Sequence, residues 1–483
     1  MRNRIIGASG ALFALLTLAG CVSAPSTTPQ EKPLGPEALG LDASASVQIP
    51  DEWWRTFGDS QLDGFVGKAL KDNPSLAAAL ARVREAQSTL SETRASTYPQ
   101  LSLDASETRE HFSKSYLYPP PYAGTMRWIG DVQANLNWSL DLFGKQKSGI
   151  DRARASVRAA SLDATAARLL LAGSVTEAYI GVARAQALTK MAQDAARERE
   201  GVASLTSGRV HAGLDTPAAE KQAEALLALS REDLVRTKTG EALAVHALAA
   251  LTGRGAEAYN MAPPKLNYAA LSLPQSLPAD LLARRADIAA AEARIEAATA
   301  GRDVARKAFY PDVNLLGLAG WSAIGLAPLL NASSFQYGAG AAAHLPIFDA
   351  GELRAQYAGA TAALDESVAD YNSAVVDAVK QTADAITNLD SLERQASSQR
   401  DALAASRASF DLAARRYRSG LYPQQTVLDS ESLLIQARRD DAALAADTAA
   451  ARVALVMALG GGFARSGADD TRISLQEVSH EQH

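Results

Sequence analysis

The residues that could perform chemistry in this chain are few, and only one of them stands in a reactive motif. The 483 residues contain no HExxH, GxSxG or GxxxxGKS/T sequence, the signatures of zinc peptidases, serine hydrolases and P-loop enzymes. The six histidines are spread along the chain, which predicts no metal site, and no motif indicates a cofactor. The chain is therefore predicted not to be an enzyme. The single cysteine, Cys21, remains as the one candidate nucleophile.

Cys21 directly follows a secretory signal. Two arginines precede an apolar stretch over residues 5–19, which is too short to span a bilayer. Residues 18–21, with the sequence LAGC, resemble a bacterial lipobox, in which the cysteine thiol takes a diacylglycerol and the freed amine takes a palmitoyl group. Val22 stands where an aspartate would resemble an inner-membrane retention signal. The sequence thus predicts a lipoprotein of the outer membrane.

The composition beyond the signal excludes two classes of protein. Loss of residues 1–20, with their two arginines, takes the formal net charge from −6 to −8. Because phosphate binding needs clustered Lys and Arg, we expect no nucleic-acid partner. The mean hydropathy is −0.09, and no apolar run approaches 20 residues beyond the N-terminus, which argues against a helical membrane protein.

The chain is a tandem duplication, because four landmarks recur in the same order. The matched segments are 73–83 with 285–295, 98–101 with 310–313, 142–143 with 347–348, and 209–214 with 416–421. Each half is therefore expected to have the same plan.

Each half contains a stretch with period two, which predicts one long β-hairpin. In the first half, apolar and polar residues alternate over 131–142. In the second half, the residues predicted to share one face are Val313, Leu315, Gly317, Ala319 and Trp321, with Phe335, Tyr337, Ala339, Ala341, Ala343 and Leu345 on the partner strand. Residues 338–343 also match GxGxxG/A, but Pro346 follows where a nucleotide site would need a helix.

A long alanine-rich helical stretch follows each hairpin. Residues 144–207 and 350–418 would reach about 96 and 100 Å at 1.5 Å per residue. Gly213 and Gly420 then predict turns, and second helices return beyond them.

Four amphipathic strands cannot close a membrane barrel alone, because closure takes at least about eight. Either they form a small soluble sheet packed on helices, or several chains pool their strands so that no edge is open in lipid. Several aromatic residues favour lipid contact. They are Trp128, Trp138, Trp321, Phe335 and Tyr337.

Seven motifs in this order resemble the TolC family of outer-membrane efflux factors, and within it the lipidated NodT- or OprM-like branch. They are WWRTFGD at 53–59, YP at 98–99, WSLDLFG at 138–144, PIFDAG at 346–351, RYRSG at 416–420, VLD at 427–429 and ALGGG at 458–462. The resemblance implies a mainly α fold with membrane β, in which a homotrimer forms a 12-stranded β-barrel continued by a long periplasmic α-barrel. It implies the exit duct of a tripartite efflux pump, with a periplasmic adaptor and an inner-membrane pump of the proton-driven resistance–nodulation–division (RND) class as partners, in the outer membrane of a Gram-negative bacterium.

The resemblance also divides the chain and assigns candidate sites. The expected parts are a signal peptide at 1–20, an acylated tether at 21–50, a first repeat at 51–253, an equatorial linker at 254–279, a second repeat at 280–461 and a tail at 462–483, with hairpins at about 100–143 and 312–347. The turn residues implied to contact the adaptor are Ala212, Gly213, Leu214, Ser419, Gly420 and Leu421.

Asp429 and Tyr417 are the residues implied to form the periplasmic gate. Three copies of Asp429 around one axis would attract cations, and Leu428 beside it is expected to narrow the mouth. The chain departs from the pattern of some family members at Tyr422, Ala219 and Thr426, so their salt-bridge latch is not carried over, although a gate is.

Two other functions fit parts of the sequence. One is a type I exit duct that passes proteins, although the lipobox and the ALGGG ending resemble the small-molecule branch. The other is a coiled-coil periplasmic lipoprotein that forms no channel, which would explain one helical hairpin but neither the second nor the amphipathic strands.

The lipobox generates the first testable prediction. Mass spectrometry of the mature N-terminus should find a triacylated Cys21 as its first residue, because the thiol stands at the expected cleavage point. Cys21→Ser should abolish the lipid modification and weaken anchoring, while the barrel still keeps the protein in the membrane. An unmodified Cys21, or a mature chain that keeps residues 1–20, would show that the motif is a chance match.

Overall fold

A computed structural model describes residues 27–35, 49–115, 119–253, 261–264 and 281–463. Cys21, most of the linker at 254–279 and the tail beyond 463 lie outside these ranges. The elements are α1 (Ser60–Asp72), α2 (Pro74–Ala95), β1 (Gln100–His111), β2 (Met126–Leu140), α3 (Lys145–His211), α4 (Pro217–Leu251), α5 (Ala286–Lys307), β3 (Asp312–Ile324), β4 (Phe335–His344), α6 (Glu352–Arg418) and α7 (Gln424–Ala458). The described residues divide into two compact units, one drawn from the ranges 1–33, 82–160 and 291–371 and one from the ranges 34–81, 161–290 and 372–483.

The first unit contains one antiparallel sheet with the strand order β1-β2-β3-β4. Trp321 lies opposite Phe335 and Ala319 opposite Tyr337, so the shared apolar face predicted for these two strands is confirmed. Val132 of β2 lies opposite Trp321, which continues this face across the two hairpins. Because β4 ends at His344, Leu345 lies beyond the strand and outside this face.

Side chains at the base of the sheet attach it to the helices that flank it. The Trp138 indole donates to the Thr97 carbonyl at 3.0 Å. Phe143 stacks on Tyr310 with 5.1 Å between ring centroids, and Lys307 Nζ donates to the Gly144 carbonyl at 3.1 Å. The recurring YP and LF/IF landmarks therefore lie at the junctions between helices and strands.

Residues 27–33, which we call the N-terminal strap, dock on α5 and α6 in the first unit. Arg302 Nη2 donates to the Thr27 carbonyl at 2.7 Å, and the same guanidinium lies 4.9 Å from the centroid of the Tyr357 ring. Asp365 Oδ1 accepts from the backbone N–H groups of Gln30 at 2.8 Å and Glu31 at 3.1 Å. This part of the tether is therefore fixed to the fold.

The core of the second unit is built around aromatic residues that precede α1. Trp53 and Phe57 are almost fully buried, and they pack with residues of α3, α4 and α7. Tyr179 of α3 is also buried, and its hydroxyl donates to Asp59, which caps α1, at 2.8 Å. The WWRTFGD motif thus anchors the second unit.

Gly460 of the ALGGG motif allows two backbone segments of the second unit to touch. Its φ is 103°, and an added Cβ would lie 1.9 Å from the Arg284 carbonyl oxygen. Neither the dihedral nor the contact leaves room for a side chain.

The long helices repeat in length as well as in sequence. Helices α3 and α6 have 67 residues each, and α4 and α7 have 35 each. Helix α3 is the one described helix that is long and apolar enough to cross a membrane by length and composition alone. Its Val175, Tyr179 and Ile180 are buried in the core of the second unit, which accounts for this apolar character.

Candidate functional site at the helix turns

Two turns of the same geometry join the long helices in the second unit. Gly213 follows α3 and Gly420 follows α6, both with a φ of 73°. Each glycine N–H bonds the carbonyl three residues earlier, at 3.0 and 2.9 Å. The following residues, Leu214 and Leu421, bond the carbonyl five residues earlier, at 2.8 and 2.9 Å. This pair of bonds is the Schellman motif, which ends a helix at a left-handed residue.

All six turn residues implied by the sequence are exposed: Ala212, Gly213, Leu214, Ser419, Gly420 and Leu421. Leu214 is 65% and Leu421 is 72% exposed, although leucine normally packs inside. A Cβ added to either glycine would meet no atom within 4 Å, so the glycines are required by their dihedral and not by a close neighbour in this chain. The surface above both turns is open to a partner.

Asp215 connects the first turn to the helix that leads into the second. Its Oδ2 accepts from Arg209 Nε at 2.6 Å and from the Tyr417 hydroxyl at 3.1 Å. The Arg209 guanidinium lies 4.9 Å from the centroid of the Tyr417 ring. One carboxylate therefore holds a cation and a phenol that are about two hundred residues apart in sequence.

The surroundings of Tyr417 keep its hydroxyl protonated. Tyr417 is 3% exposed and packs with Ala413 and Val427. Burial raises its pKa above the ordinary value, and the bond to Asp215 acts in the same direction. Hydrogen bonding to Asp215 also raises the pKa of Arg209. The phenol stays a donor and the guanidinium stays charged throughout the physiological range.

A second polar contact crosses between the helix pairs beside this cluster. Gln424, the first residue of α7, donates from Nε2 to the hydroxyl of Thr206 at 2.8 Å, and both side chains are buried. Helices α3 and α7 are thus tied together by a neutral bond next to the charged one.

In the second turn, Tyr422 occupies the position that corresponds to Asp215 in the first turn. Arg416 and Tyr422 have the same six-residue spacing as Arg209 and Asp215, and Arg416 Nη1 donates to the Tyr422 hydroxyl at 2.6 Å. Arg416 also lies 5.0 Å from the centroid of that ring. Because a phenol replaces the carboxylate, this contact stays within its own turn.

Asp429 is exposed near the start of helix α7, five residues after its first residue, Gln424. Its Oδ1 accepts from Gln425 Nε2 at 2.8 Å, and Gln425 in turn accepts from Gln222 of α4 at 3.0 Å. Leu428 is only 4% exposed and packs inside this chain, so the expectation that it narrows a mouth is wrong. Within the described ranges, no three His, Cys, Asp or Glu side chains are grouped to hold a metal ion.

Besides Tyr422, the other two positions that depart from the family pattern, Ala219 and Thr426, also have local roles. Ala219 donates its N–H to the Thr216 hydroxyl at 3.2 Å, which caps α4, and the Thr426 N–H bonds the Pro423 carbonyl at 3.2 Å, which begins α7. Sequence reasoning missed Asp215, which lies two residues beyond Gly213. Its spacing from Arg209, the same as that of Tyr422 from Arg416, was the signal that could have found it.

A small antiparallel sheet with an exposed apolar face, carried by two sets of very long helices, is the fold of a TolC-type outer-membrane channel. The outer membrane protein VceC from Vibrio cholerae has a TM-score of 0.79 and 31% identity to this chain, and the match covers 86% of this chain and 100% of VceC. The fusaric acid resistance protein FusA of Burkholderia cepacia is 36% identical over 365 residues, which are 73% of this chain and 68% of FusA. The multidrug resistance outer membrane protein MdtQ of Escherichia coli O157:H7 is 30% identical over 468 residues, 93% of this chain and 97% of MdtQ.

A profile of the outer membrane efflux protein family matches residues 65–254 and 277–461. The chain belongs to this family, and the resemblance to TolC-type efflux factors is confirmed. It lies in the outer membrane of a Gram-negative bacterium, extends into the periplasm and serves as the exit duct of a tripartite efflux pump.

The contact between Asp215 and Tyr417 generates the second prediction. Tyr417→Phe keeps the buried ring and removes only the hydroxyl, so it should cost about 1–2 kcal/mol of the local free energy that holds the first turn to α6. Hydrogen exchange of the amides over 209–217 should accelerate roughly 5–30-fold. Tyr98→Phe, at an exposed tyrosine of the first unit, serves as the control. If both variants exchange like the wild type, the hydroxyl bond does not hold the turns together.

Proposed function

We propose that three copies of this chain form one duct, with a 12-stranded β-barrel in the outer membrane and a long α-barrel in the periplasm. The observation that carries this proposal is the sheet. Its two edges pair with no other strand in the part of the chain that the structure describes, and its apolar face is exposed. Leu101 is 73% and Tyr337 is 81% exposed in the single chain. An apolar face of this kind is stable in lipid, where open backbone edges are not.

The strand directions support closure by copies of the same chain. Since each neighbouring pair in β1-β2-β3-β4 is antiparallel, the edge strands β1 and β4 also run in opposite directions. Adding β1 of the next copy beside β4 therefore continues the antiparallel order. Three copies supply twelve strands, an even number within the range of known barrels.

Two neighbouring alanines on β4 provide the third prediction. Ala341 lies opposite Leu315 on the apolar face, whereas Ala342 lies opposite Asn314 on the other face. Ala341→Arg should prevent stable insertion, because an arginine facing lipid costs roughly 2–4 kcal/mol near the membrane centre and less toward its surfaces, in every copy. Ala342→Arg, at the same depth, should insert like the wild type because the interior of a barrel is wet.

The measurements are membrane fractionation of both variants and native mass spectrometry of the detergent-extracted protein. We expect about three times the mass of one chain for the wild type and for Ala342→Arg. Equal insertion of the two variants, or a monomer, would favour a small sheet that stays in water.

We further propose that acylated Cys21 adds a second membrane attachment, with N-palmitoyl and S-diacylglycerol groups. In this proposal the tether leads from Cys21 into the strap. Residues 51–72 and 254–279 and the C-terminal tail contribute a belt around the α-barrel. The cargo is a class of small molecules, since FusA is named for fusaric acid resistance and MdtQ for multidrug resistance. An inner-membrane pump of the RND class supplies the energy, and transport through the duct is passive.

The two turns are the proposed contact with the periplasmic adaptor. Both present an exposed leucine beside an open glycine, which suits the close approach of helical tips from another protein. The identical backbone geometry of Gly213 and Gly420 supports equivalent contacts with alternating adaptor tips.

The proposed gate combines the cluster around Tyr417 with Asp429. The cluster ties α3 and the first turn to α6, so its rupture would let the helix pairs separate. Asp429 accepts a hydrogen bond from Gln425 of its own chain and is exposed, which suits a position on the inner surface of the mouth. Three such carboxylates would concentrate cations there.

Asp429 gives the fourth prediction, and α7 offers a matched control. Asp429→Ala should reduce the cation-to-anion permeability ratio of single channels in planar bilayers several-fold and relieve block by divalent cations. Folding should change little, because an exposed carboxylate contributes little stability.

Asp440 lies eleven residues further along α7, on nearly the same face and about 16 Å away, and it makes the same contact with the glutamine four residues before it. Asp440→Ala should leave selectivity and block nearly unchanged, because its charge lies away from the narrow mouth. Equal effects of the two substitutions would mean that the constriction is not at Asp429.

A further inference from the structure

Glu431 is a carboxylic acid inside the helix packing of the second unit, and the duct function described above does not use it. It lies on α7, seven residues or about 10 Å from the first residue of that helix. Its side chain is 0% exposed, and neither carboxylate oxygen has a hydrogen-bond partner among the residues that the structure describes. A fully buried acid normally has such partners, because an unpaired polar group costs free energy.

The charged groups that face Glu431 come from α3. Arg199 Nε lies 3.8 Å from Glu431 Oε2, too far for a hydrogen bond, and the Arg199 side chain is 12% exposed. Glu198 adds a second negative charge nearby, and one of its oxygens is also buried with no hydrogen bond to any described residue. Arg438 of α7 lies 3.5 Å from the other oxygen of Glu198. The attraction from Arg199 is therefore partly offset by Glu198.

This setting favours the neutral form of the acid. Burial raises the pKa of Glu431 above its ordinary value of about 4.3, Arg199 lowers it by a smaller amount, and Glu198 raises it further. Because the packed state binds the proton more tightly than an opened state, it gains stability as the pH falls through the raised pKa. That stability is complete below the ordinary pKa of glutamate and is lost as the pH rises through the raised value.

We propose that Glu431 is a proton-binding site that sets how tightly α7 packs against α3 close to the second turn. With the proton bound, the neutral acid fits the interior and α7 stays packed. With the proton released, a buried carboxylate is left without a hydrogen bond from the described residues. The attraction of Arg199 stabilises this charge, but the repulsion of Glu198 partly cancels that attraction. Lower pH therefore tightens this helix pair, and higher pH loosens it. The inference concerns the packing of one chain and does not depend on the proposed duct.

Hydrogen exchange of the intact protein in detergent tests this proposal. The protection of amides over 424–440, corrected for the intrinsic effect of pH, is measured in a series from about pH 5 to pH 8. Protection in the wild type should rise toward acid by up to about tenfold per pH unit, the limit for one proton. Glu431→Gln should be as protected at every pH as the acidic wild type, because the amide is always neutral.

Two further variants separate this site from other acids. Glu200→Gln changes an exposed carboxylate on α3 that pairs with Arg231 at 2.9 Å, and it should keep the wild-type pH dependence. Arg199→Gln removes the facing cation, so the pH at which protection changes should move upward. This variant tests the proposal even if Glu431→Gln fails to fold. A wild type without pH-dependent protection would overturn the proposal. So would a Glu431→Gln variant less protected than the wild type at every pH, since the charged pair would then be the stabilising form.

Discussion

The hydrogen-bonding groups along β1 and β4 impose the constraint on which the rest of this structure depends. In water an edge strand can remain open, because solvent replaces the missing partner. In a bilayer each unpaired N–H or C=O costs several kcal/mol, so an amphipathic four-stranded sheet is stable there only if another sheet continues it. The apolar face that runs across both hairpins makes lipid the favoured surroundings. In lipid, these four strands would need a further sheet at both edges.

The duplication preserves backbone geometry more strictly than side-chain chemistry. Both turns have the same glycine dihedral and the same pair of hydrogen bonds, because any helix that ends this way needs them. The residue two positions beyond each glycine is free to differ, and it is Asp215 in one turn and Tyr422 in the other. A carboxylate accepts from two donors at once, whereas the phenol here accepts from one arginine. Asp215 thereby bonds the first turn to α6, whereas the bond between Arg416 and Tyr422 stays within the second turn.

The sequence was most informative where a local rule determines the structure. Period two predicted which residues share a face in β3 and β4, because the pleat leaves no other choice within a strand. Gly213 and Gly420 predicted the turns, because glycine readily adopts the left-handed conformation that ends a helix. In the alanine-rich helices the sequence was less informative about burial. Because small residues occur on every face, the pattern does not show which side of the helix is buried. Leu428 was accordingly expected at an exposed surface, and Glu431 gave no sign of burial. The bond between Asp215 and Tyr417 joins residues 202 positions apart, which no local pattern specifies.

The N-terminal strap has a consequence for the order in which parts of the protein fold. Its bonds from Gln30 and Glu31 to Asp365 close a loop of more than three hundred residues, with Gln30 and Asp365 335 positions apart. Contacts of such long range form late, because the chain between them must first be ordered. During synthesis and export, the strap has no docking surface until α6 has emerged and folded. Docking of the strap therefore follows the folding of α6.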